Sequence, residues 1–384
     1  VFIFSFLFII NRALMVDEIA HYLQIKRFTS GDFGVYDVIT VIPGYHYFFS
    51  FLGSIFGISS FAGIRFFNLI IGLASILVFL LIGFRISRDF SLTKLLQYAF
   101  FPILFPFFFL IYTDIFSLLF ILLSFYFVLL KRYNIAGLFG ILSFFTRQNN
   151  VVWFGFMIAF VYFERYDKIT FSNILETAKL CWVFVLGIII AIIFFVLNRG
   201  FAFGDRDMHA GGIYFGNIFF ALFLFFFLFL PLNIFNFKKI IRLLENKWVL
   251  LIVLGLFFIY MRFFIVSHPY NFIEPNYFLR NMILGYFNKG FLIKSLLFLP
   301  IAYSFLSLFV TEFKRKSFYL LYIFSFLFLL PSWLIEQRYY LIPFSLFILF
   351  KKEKNRFLEN CTIAFYFVAS MLLFYFIGIG KYFL

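Results

Sequence analysis

An all-α protein that crosses a lipid bilayer many times is the fold class this sequence predicts, and three observations predict it. Hydrophobic residues make up 65% of the 384, 74 of them Phe, and the mean hydropathy is +1.05. A soluble fold has no interior large enough for that apolar surface, whereas a bilayer solvates it. The apolar residues come in repeated runs of roughly 15–24, the length of a membrane helix. The dyad alternation of a transmembrane β-barrel is not found.

The runs place spans at 1–14, 61–84, 95–111, 115–130, 135–145, 150–163, 180–197, 214–235, 248–266, 290–311, 318–333, 340–350 and 361–380. The expected polytopic architecture therefore has roughly 12–14 transmembrane helices in a single integral-membrane domain, residues 1–384. Val1 already lies inside an apolar run, with no Met and no basic segment before it, so the chain is read as lacking its true N-terminus. The pieces 135–145 and 340–350 are too short to cross as straight helices and are expected to be broken or partly submerged. Cys181 and Cys361 fall in different apolar runs, and no metal-ligand spacing occurs.

Where the charge sits decides what the net +15 means. With loops numbered alternately, one side receives 19 of the 32 basic residues, among them Arg85, Arg88, Lys94, Lys131, Arg132, Lys179, Lys314–Lys316 and Lys351–Lys352. The positive-inside rule makes that side cytoplasmic. The basic excess is then topology and contact with anionic membrane lipids, and no nucleic-acid partner is expected. The opposite side gathers His21, His46, His209 and His268 together with Asp17, Glu18, Asp32, Asp37, Asp114, Asp205, Asp207, Glu274 and Glu336. That is the face with groups able to do chemistry.

Six polar clusters lie on it. The first loop, 15–60, opens with VDEIAHYLQIKRF, whose apolar and polar residues alternate helically over 17–30. This fits an amphipathic helix on the membrane surface, and a lipid anchor is the plainer reading. In IYTDIFS, Asp114 sits at membrane depth, where a carboxylate is costly and is by default a site candidate; a helix cap by Thr113 or Asp114 is the alternative. TRQNN interrupts a long apolar stretch with Arg147, Gln148, Asn149 and Asn150, a cation and amides suited to phosphate or sugar hydroxyls. GDRDMHA brings Asp205, Arg206, Asp207 and His209; SHPYNFIEPNYFLRN brings His268, Tyr270, Glu274 and Arg280; WLIEQRYYLIPF brings Glu336 and Arg338. Each of these three, alone, also reads as a self-neutralising loop.

Taken together, VDEIAHYLQIKRFTSGDFGVYDVITVIPGYHYF, YTD, TRQNNVVW, GDRDMHA, SHPY and EQRYYLIPF, in this order from 16 to 344, resemble the dolichyl-phosphate-glucose-dependent α-1,2-glucosyltransferases of the endoplasmic reticulum, the DIE2-type family. The chain departs from that pattern in having RQNN for RQTN, and in a loose match after SHPY. The resemblance implies a C-type glycosyltransferase architecture in the endoplasmic reticulum membrane, with the active site in the lumen beneath the first loop. It implies transfer of glucose from dolichyl-phosphate-glucose to a dolichyl-diphosphate-linked oligosaccharide with inversion, and no cofactor or metal. It makes Asp17 the base, with Glu18 as its competitor, and Asp114 a supporting carboxylate. Arg147, Gln148, His268, Arg206 and Arg338 become candidates for the donor phosphate or sugar. His21, Asp205, His209 and Tyr270 become candidate acceptor or loop contacts. A polytopic lipid or solute transporter is the competing reading, drawn from the interrupted stretches at 135–163 and 333–350.

Overall fold

Apolar runs become helices, and the polar residues between them fix where each helix stops. The computed structural model describes residues 1–58, 60–87, 90–273 and 277–383, so Arg88 and Glu274 lie outside the described residues. Among those described, no β-strand forms; two isolated bridges, Tyr277 with Phe383 and Phe313 with Lys351, are the extended pairings present.

The chain packs as two compact units. The first comprises Val1–Phe90, Leu104–Gly211 and Ser317–Phe328; the second comprises Ser91–Ile103, Gly212–Lys316 and Leu329–Leu384. In chain order, α1 (Phe2–Ile9), α2 (Asp17–Thr29), α3 (Gly44–Phe56) and α4 (Phe61–Ile86) belong to the first unit, and α5 (Leu92–Ala99) to the second. The first unit continues with α6 (Thr113–Leu129), α7 (Tyr133–Thr146), α8 (Val151–Phe163), α9 (Phe171–Leu180) and α10 (Trp182–Asn198). The second holds α11 (Gly216–Leu228), α12 (Leu230–Leu244), α13 (Lys247–Phe263), α14 (Tyr270–Ile273) and α15 (Phe291–Val310). After α16 (Leu320–Leu329), α17 (Leu341–Phe350) and α18 (Arg356–Gly378) complete it.

In the first unit α6 packs between α4 and α7, and α10 packs on α7. The α6–α7 turn is tight because Lys131 adopts a left-handed φ of 58°, with its N–H on Val128 O and the Arg132 N–H on Phe127 O. This is the Schellman closure, usually made with glycine. Antiparallel pairing of α6 and α7 returns the chain to its starting level, so Arg147, which follows α7, comes back beside Asp114 in the first turn of α6. Lys131 lies past the other end of α6, about 25 Å away along a 17-residue helix.

Among the described residues, three helices are long and apolar enough to cross a bilayer, α4, α15 and α18; two further spans arise if α9 with α10, bent by 86°, and α11 with α12, bent by 98°, each count as one. Helices α6 and α7 are apolar but shorter. Large side chains such as Ile189, Ile192, Val196 and Leu197 on α10, and Leu250, Leu251, Leu254 and Phe258 on α13, stand exposed. In water such surface would drive aggregation; facing acyl chains it is at home, and the protein is an all-α polytopic membrane protein.

Two expected spans are not single helices. The stretch 95–111 is α5, an irregular segment and a 3-10 turn at Phe105–Phe108, with Pro102 and Pro106 removing backbone donors. The stretch 214–235 breaks at Phe229, where Pro231 takes the second position of α12. The bends fall at Cys181 and Phe229, whereas the interruptions expected at 135–163 and 333–350 are short 3-10 links, Gln148–Asn150 and Gln337–Tyr340.

Candidate active site

In the first unit the site grows from the N-terminus of α2. Val16, just before it, has φ 48° and ψ −115°, an unusual backbone for a β-branched residue. What holds it is Glu18. Its carboxylate is fully buried and accepts four hydrogen bonds: from Arg65 Nε (3.0 Å) and Nη2 (2.6 Å), from Met15 N (3.1 Å) and from Ile111 N (2.8 Å). Arg65, also fully buried, spends its other donors on Ile9 O (2.7 Å), Arg12 O (2.7 Å) and Ala13 O (3.3 Å). Buried charge survives here because every lone pair and proton is matched.

One turn further along α4, Asn68 donates to Leu110 O and accepts from the Tyr45 hydroxyl (3.2 Å). Thus α4 supplies two polar side chains that tie α2 and the 110–112 turn together. That turn leads into α6, which begins at Thr113, and no side chain caps it. Asp114 stands in the first turn of α6, and Tyr112 holds the N-cap position. Asp114 is buried and ion-paired to Arg147.

Asp17 is half-buried and shares a face of α2 with His21, four residues on. The His21 ring lies against Tyr45 and Tyr112, and its Nδ1 is 2.9 Å from Nε2 of His46. Burial, and next His21, hold His46 well below the usual histidine pKa, so its ring is neutral. Arg147 and Asp114 join this neighbourhood through the 110–112 turn. Asn150 donates to Ser117 Oγ (2.7 Å) and Ser143 O (3.0 Å), fixing the bend that follows Arg147.

Gln148 fills a different role from its neighbour. Its Nε2 donates to Thr40 O (2.9 Å) and Phe201 O (3.0 Å), and its Oε1 accepts from Ile42 N (3.4 Å). It staples the first loop to the 198–212 loop, a contact reinforced by Phe203 N to Thr40 O and Gly204 N to Ile39 O. Any Cβ at Gly204 would meet Asp37 O at 2.2 Å, so this crossing requires glycine. Within the loop, Arg206 donates to Asn198 Oδ1 (2.8 Å) and Phe203 O (3.3 Å), and Asp205 lies 3.9 Å from His209. Those three residues are arranged locally, as a self-bonded loop.

The second unit carries a separate cluster. Glu336 is buried, and its Oε1 accepts from both Arg280 Nη1 (2.8 Å) and Arg338 Nη2 (2.6 Å). Arg280 also stacks on Tyr277, 3.6 Å from the ring centroid. Glu336 thus gathers two guanidinium groups at one oxygen, in a largely water-excluded place. The backbone carrying Glu336 is set by Asn217, which accepts from Glu336 N (3.1 Å) and the Tyr340 hydroxyl (2.9 Å) and donates to Ser332 O (2.9 Å) and Leu334 O (2.8 Å). Asn271 similarly donates to Ile335 O (3.0 Å). His268 is fully buried; Nδ1 accepts from Tyr270 N (3.1 Å), which puts the proton of a neutral ring on Nε2. Trp333 lies edge-on to the His268 ring at 4.7 Å. The Gln337 carboxamide is fully buried, and neither of its polar atoms meets a hydrogen-bond partner among the described residues.

Sequence reading missed Arg65, Asn68, Asn217 and Asn271. Arg65 and Asn68 stand inside the run 61–84, where a charged and an amide side chain in an apolar span were themselves the signal. Among the described residues, no three His, Cys, Asp or Glu side chains come together as a metal cage.

The DIE2/ALG10 family model matches residues 11–173 and 160–349. A protein of Candida albicans named Dol-P-Glc:Glc(2)Man(9)GlcNAc(2)-PP-Dol alpha-1,2-glucosyltransferase is 28% identical over 279 residues, covering 67% of this chain and 62% of that protein. A Homo sapiens protein of the same name is 23% identical over 94% of this chain and 88% of its own length. An Arabidopsis thaliana protein, also so named, is 24% identical over 87% of this chain and 85% of its own. No solved structure matches the chain.

Proposed function

Since the chain belongs to the DIE2/ALG10 family, matched over residues 11–173 and 160–349, we propose that it is the glucosyltransferase its relatives are named for. It moves glucose from dolichyl-phosphate-glucose to a dolichyl-diphosphate-linked oligosaccharide, forming an α-1,2 linkage. The family match carries this reading, because it covers both polar clusters and the first loop.

The donor glucose is β-linked and the product α-linked, so one in-line displacement inverts the anomeric carbon. The acceptor's 2-hydroxyl oxygen attacks that carbon, and the bond to phosphate oxygen breaks with its electron pair leaving on dolichyl phosphate. The hydroxyl proton goes to a carboxylate. We assign that base to Asp17. Supporting this choice over Glu18 is the division of labour between them: all four bonds of Glu18 are spent on Arg65 and two backbone N–H groups, whereas Asp17 is half-buried at the first position of α2. Asp114 acts on the same neighbourhood through Arg147, holding that guanidinium in place.

Departure of dolichyl phosphate adds a negative charge to its phosphate, and guanidinium groups stabilise charge that develops in this way. Within the first unit we give this task to Arg147; Arg338 and His268, carried by the second unit, remain candidates for the donor. Arg206 remains a candidate for the donor, and His21, Asp205, His209 and Tyr270 for acceptor or loop contacts. Gln148 supports the site by joining the two loops of the first unit. The site faces the lumen of the endoplasmic reticulum, the side opposite the basic loops. The lipid-linked oligosaccharide profile of cells lacking the protein tests this reading: a species one terminal glucose short accumulates, and an unchanged profile refutes it.

A further inference from the structure

At the far end of the α6–α7 hairpin from Asp114 and Arg147 lies a pocket of about 500 Å³, lined among others by Lys131, Arg132, Tyr133, Lys179 and Trp182. We propose that it holds the phosphate headgroup of an anionic phospholipid, with the acyl chains lying along α7 and α10. Three cations point into one concavity, and among the described residues none of the three has a carboxylate within ion-pair distance. Glu176, three residues before Lys179 on α9, is paired to Arg165. A dense, unneutralised positive site of this kind attracts phosphate chemistry.

The surroundings say that the phosphate belongs to a lipid. The pocket sits in the corner where the amphipathic α9 turns by 86° into α10. On α9, Phe171, Ile174 and Leu175 are exposed, the apolar face of a helix lying in the membrane interface. Trp182, 53% exposed at the start of α10, is the residue type that anchors at headgroup level. Away from the pocket run exposed apolar side chains at helical spacing, Leu138 and Leu142 on α7 and Leu186, Ile189 and Ile193 on α10. They provide a path for acyl chains, which a free phosphate would not use.

Lys131 makes the clearest case for a ligand. It occupies the left-handed position of the α6 terminus, where glycine is the relaxed choice. Helix closure gains nothing from lysine there, whereas a charged side chain pinned at that point contributes to the pocket.

The test is native mass spectrometry of the full chain titrated with phosphatidylinositol, with phosphatidylcholine and inorganic phosphate as the other arms. Wild type is expected to retain phosphatidylinositol in preference to phosphatidylcholine, and millimolar inorganic phosphate is expected not to displace it. Each basic side chain removed should weaken binding about fivefold, and the triple variant Lys131→Ala, Arg132→Ala, Lys179→Ala about 100-fold. Lys131→Gly guards against a folding defect, because it relieves the backbone while removing the charge: it should match or exceed wild-type thermal stability yet bind the lipid more weakly. Unchanged phosphatidylinositol binding in the triple variant and in Lys131→Gly overturns the proposal. Displacement by inorganic phosphate overturns its lipid source.

Discussion

Asp17 and Glu18 are adjacent carboxylates with opposite expected failures, and separating them is the sharpest local test of the mechanism. Replacing Asp17 by Asn removes the base while leaving the half-buried side chain's shape. Loss of general base catalysis costs about 10²–10⁴ in kcat, equivalent to about 3–5 kcal/mol on the barrier. Stability should move less than it does for Glu18→Gln, since the Arg65 network does not include Asp17. Glu18→Gln behaves the other way. Its carboxylate accepts four hydrogen bonds, two from a fully buried guanidinium, and the amide turns one acceptor into a donor facing donors. The expected cost is about 3 kcal/mol of stability. Arg65→Met, which strands the buried carboxylate, should cost about 4 kcal/mol. The assay pairs thermal unfolding of detergent-solubilised protein with glucose transfer from dolichyl-phosphate-glucose in proteoliposomes, normalised to folded protein. Asp17→Asn with near wild-type kcat refutes the assignment of the base. A Glu18→Gln protein as stable as wild type but inactive would exchange the two roles.

Other outcomes are expected elsewhere. Asn217→Ala leaves two backbone carbonyls, an N–H and the Tyr340 hydroxyl without their partner, so stability should fall by about 3 kcal/mol in thermal unfolding, and retention of full stability would contradict the packing described. Arg280→Gln removes one of the two guanidinium groups that Glu336 accepts from, so stability should fall by about 3 kcal/mol in thermal unfolding; an unchanged melting temperature would contradict the buried pairing described. Gln148→Ala should leave loops 39–42 and 198–212 unpinned, seen as faster proteolytic cleavage between 198 and 212. His46 supplies a pH signature. Its folded pKa is depressed by burial and by His21, so the unfolded chain takes up a proton that the folded chain refuses. Stability from this site is complete above the unfolded pKa of about 6.5 and falls as pH drops below it; His46→Phe should flatten that limb of the stability profile.

Class and much of the helix order were legible because they depend on composition and run length. The amphipathic 17–30 became α2, 248–266 became α13, and 290–311 became α15. Misread spans had local causes: Pro102 and Pro106 disperse 95–111, and Pro231 breaks 214–235, so punctuation outweighed hydropathy at both. Pairings were harder, since nothing in sequence spacing joins Glu18 to Arg65, 47 residues on, or Asn217 to Tyr340, 123 on. The same ignorance left Glu18 as a competitor to Asp17, with no sign that its carboxylate would be engaged by Arg65 and two backbone N–H groups. Lys131, Arg132 and Lys179 were legible as charge but not as a pocket, which needed the α6–α7 turn and the bend at Cys181.

Product analysis tests the central claim most directly. Purified protein is incubated with dolichyl-phosphate-glucose and a dolichyl-diphosphate oligosaccharide ending in glucose, and the new linkage is read by NMR. The account predicts an acceptor one hexose larger, joined α-1,2, with dolichyl phosphate released in equal amount. Movement of lipid across the membrane with no new glycosidic bond, or a retained β linkage in the product, would contradict it.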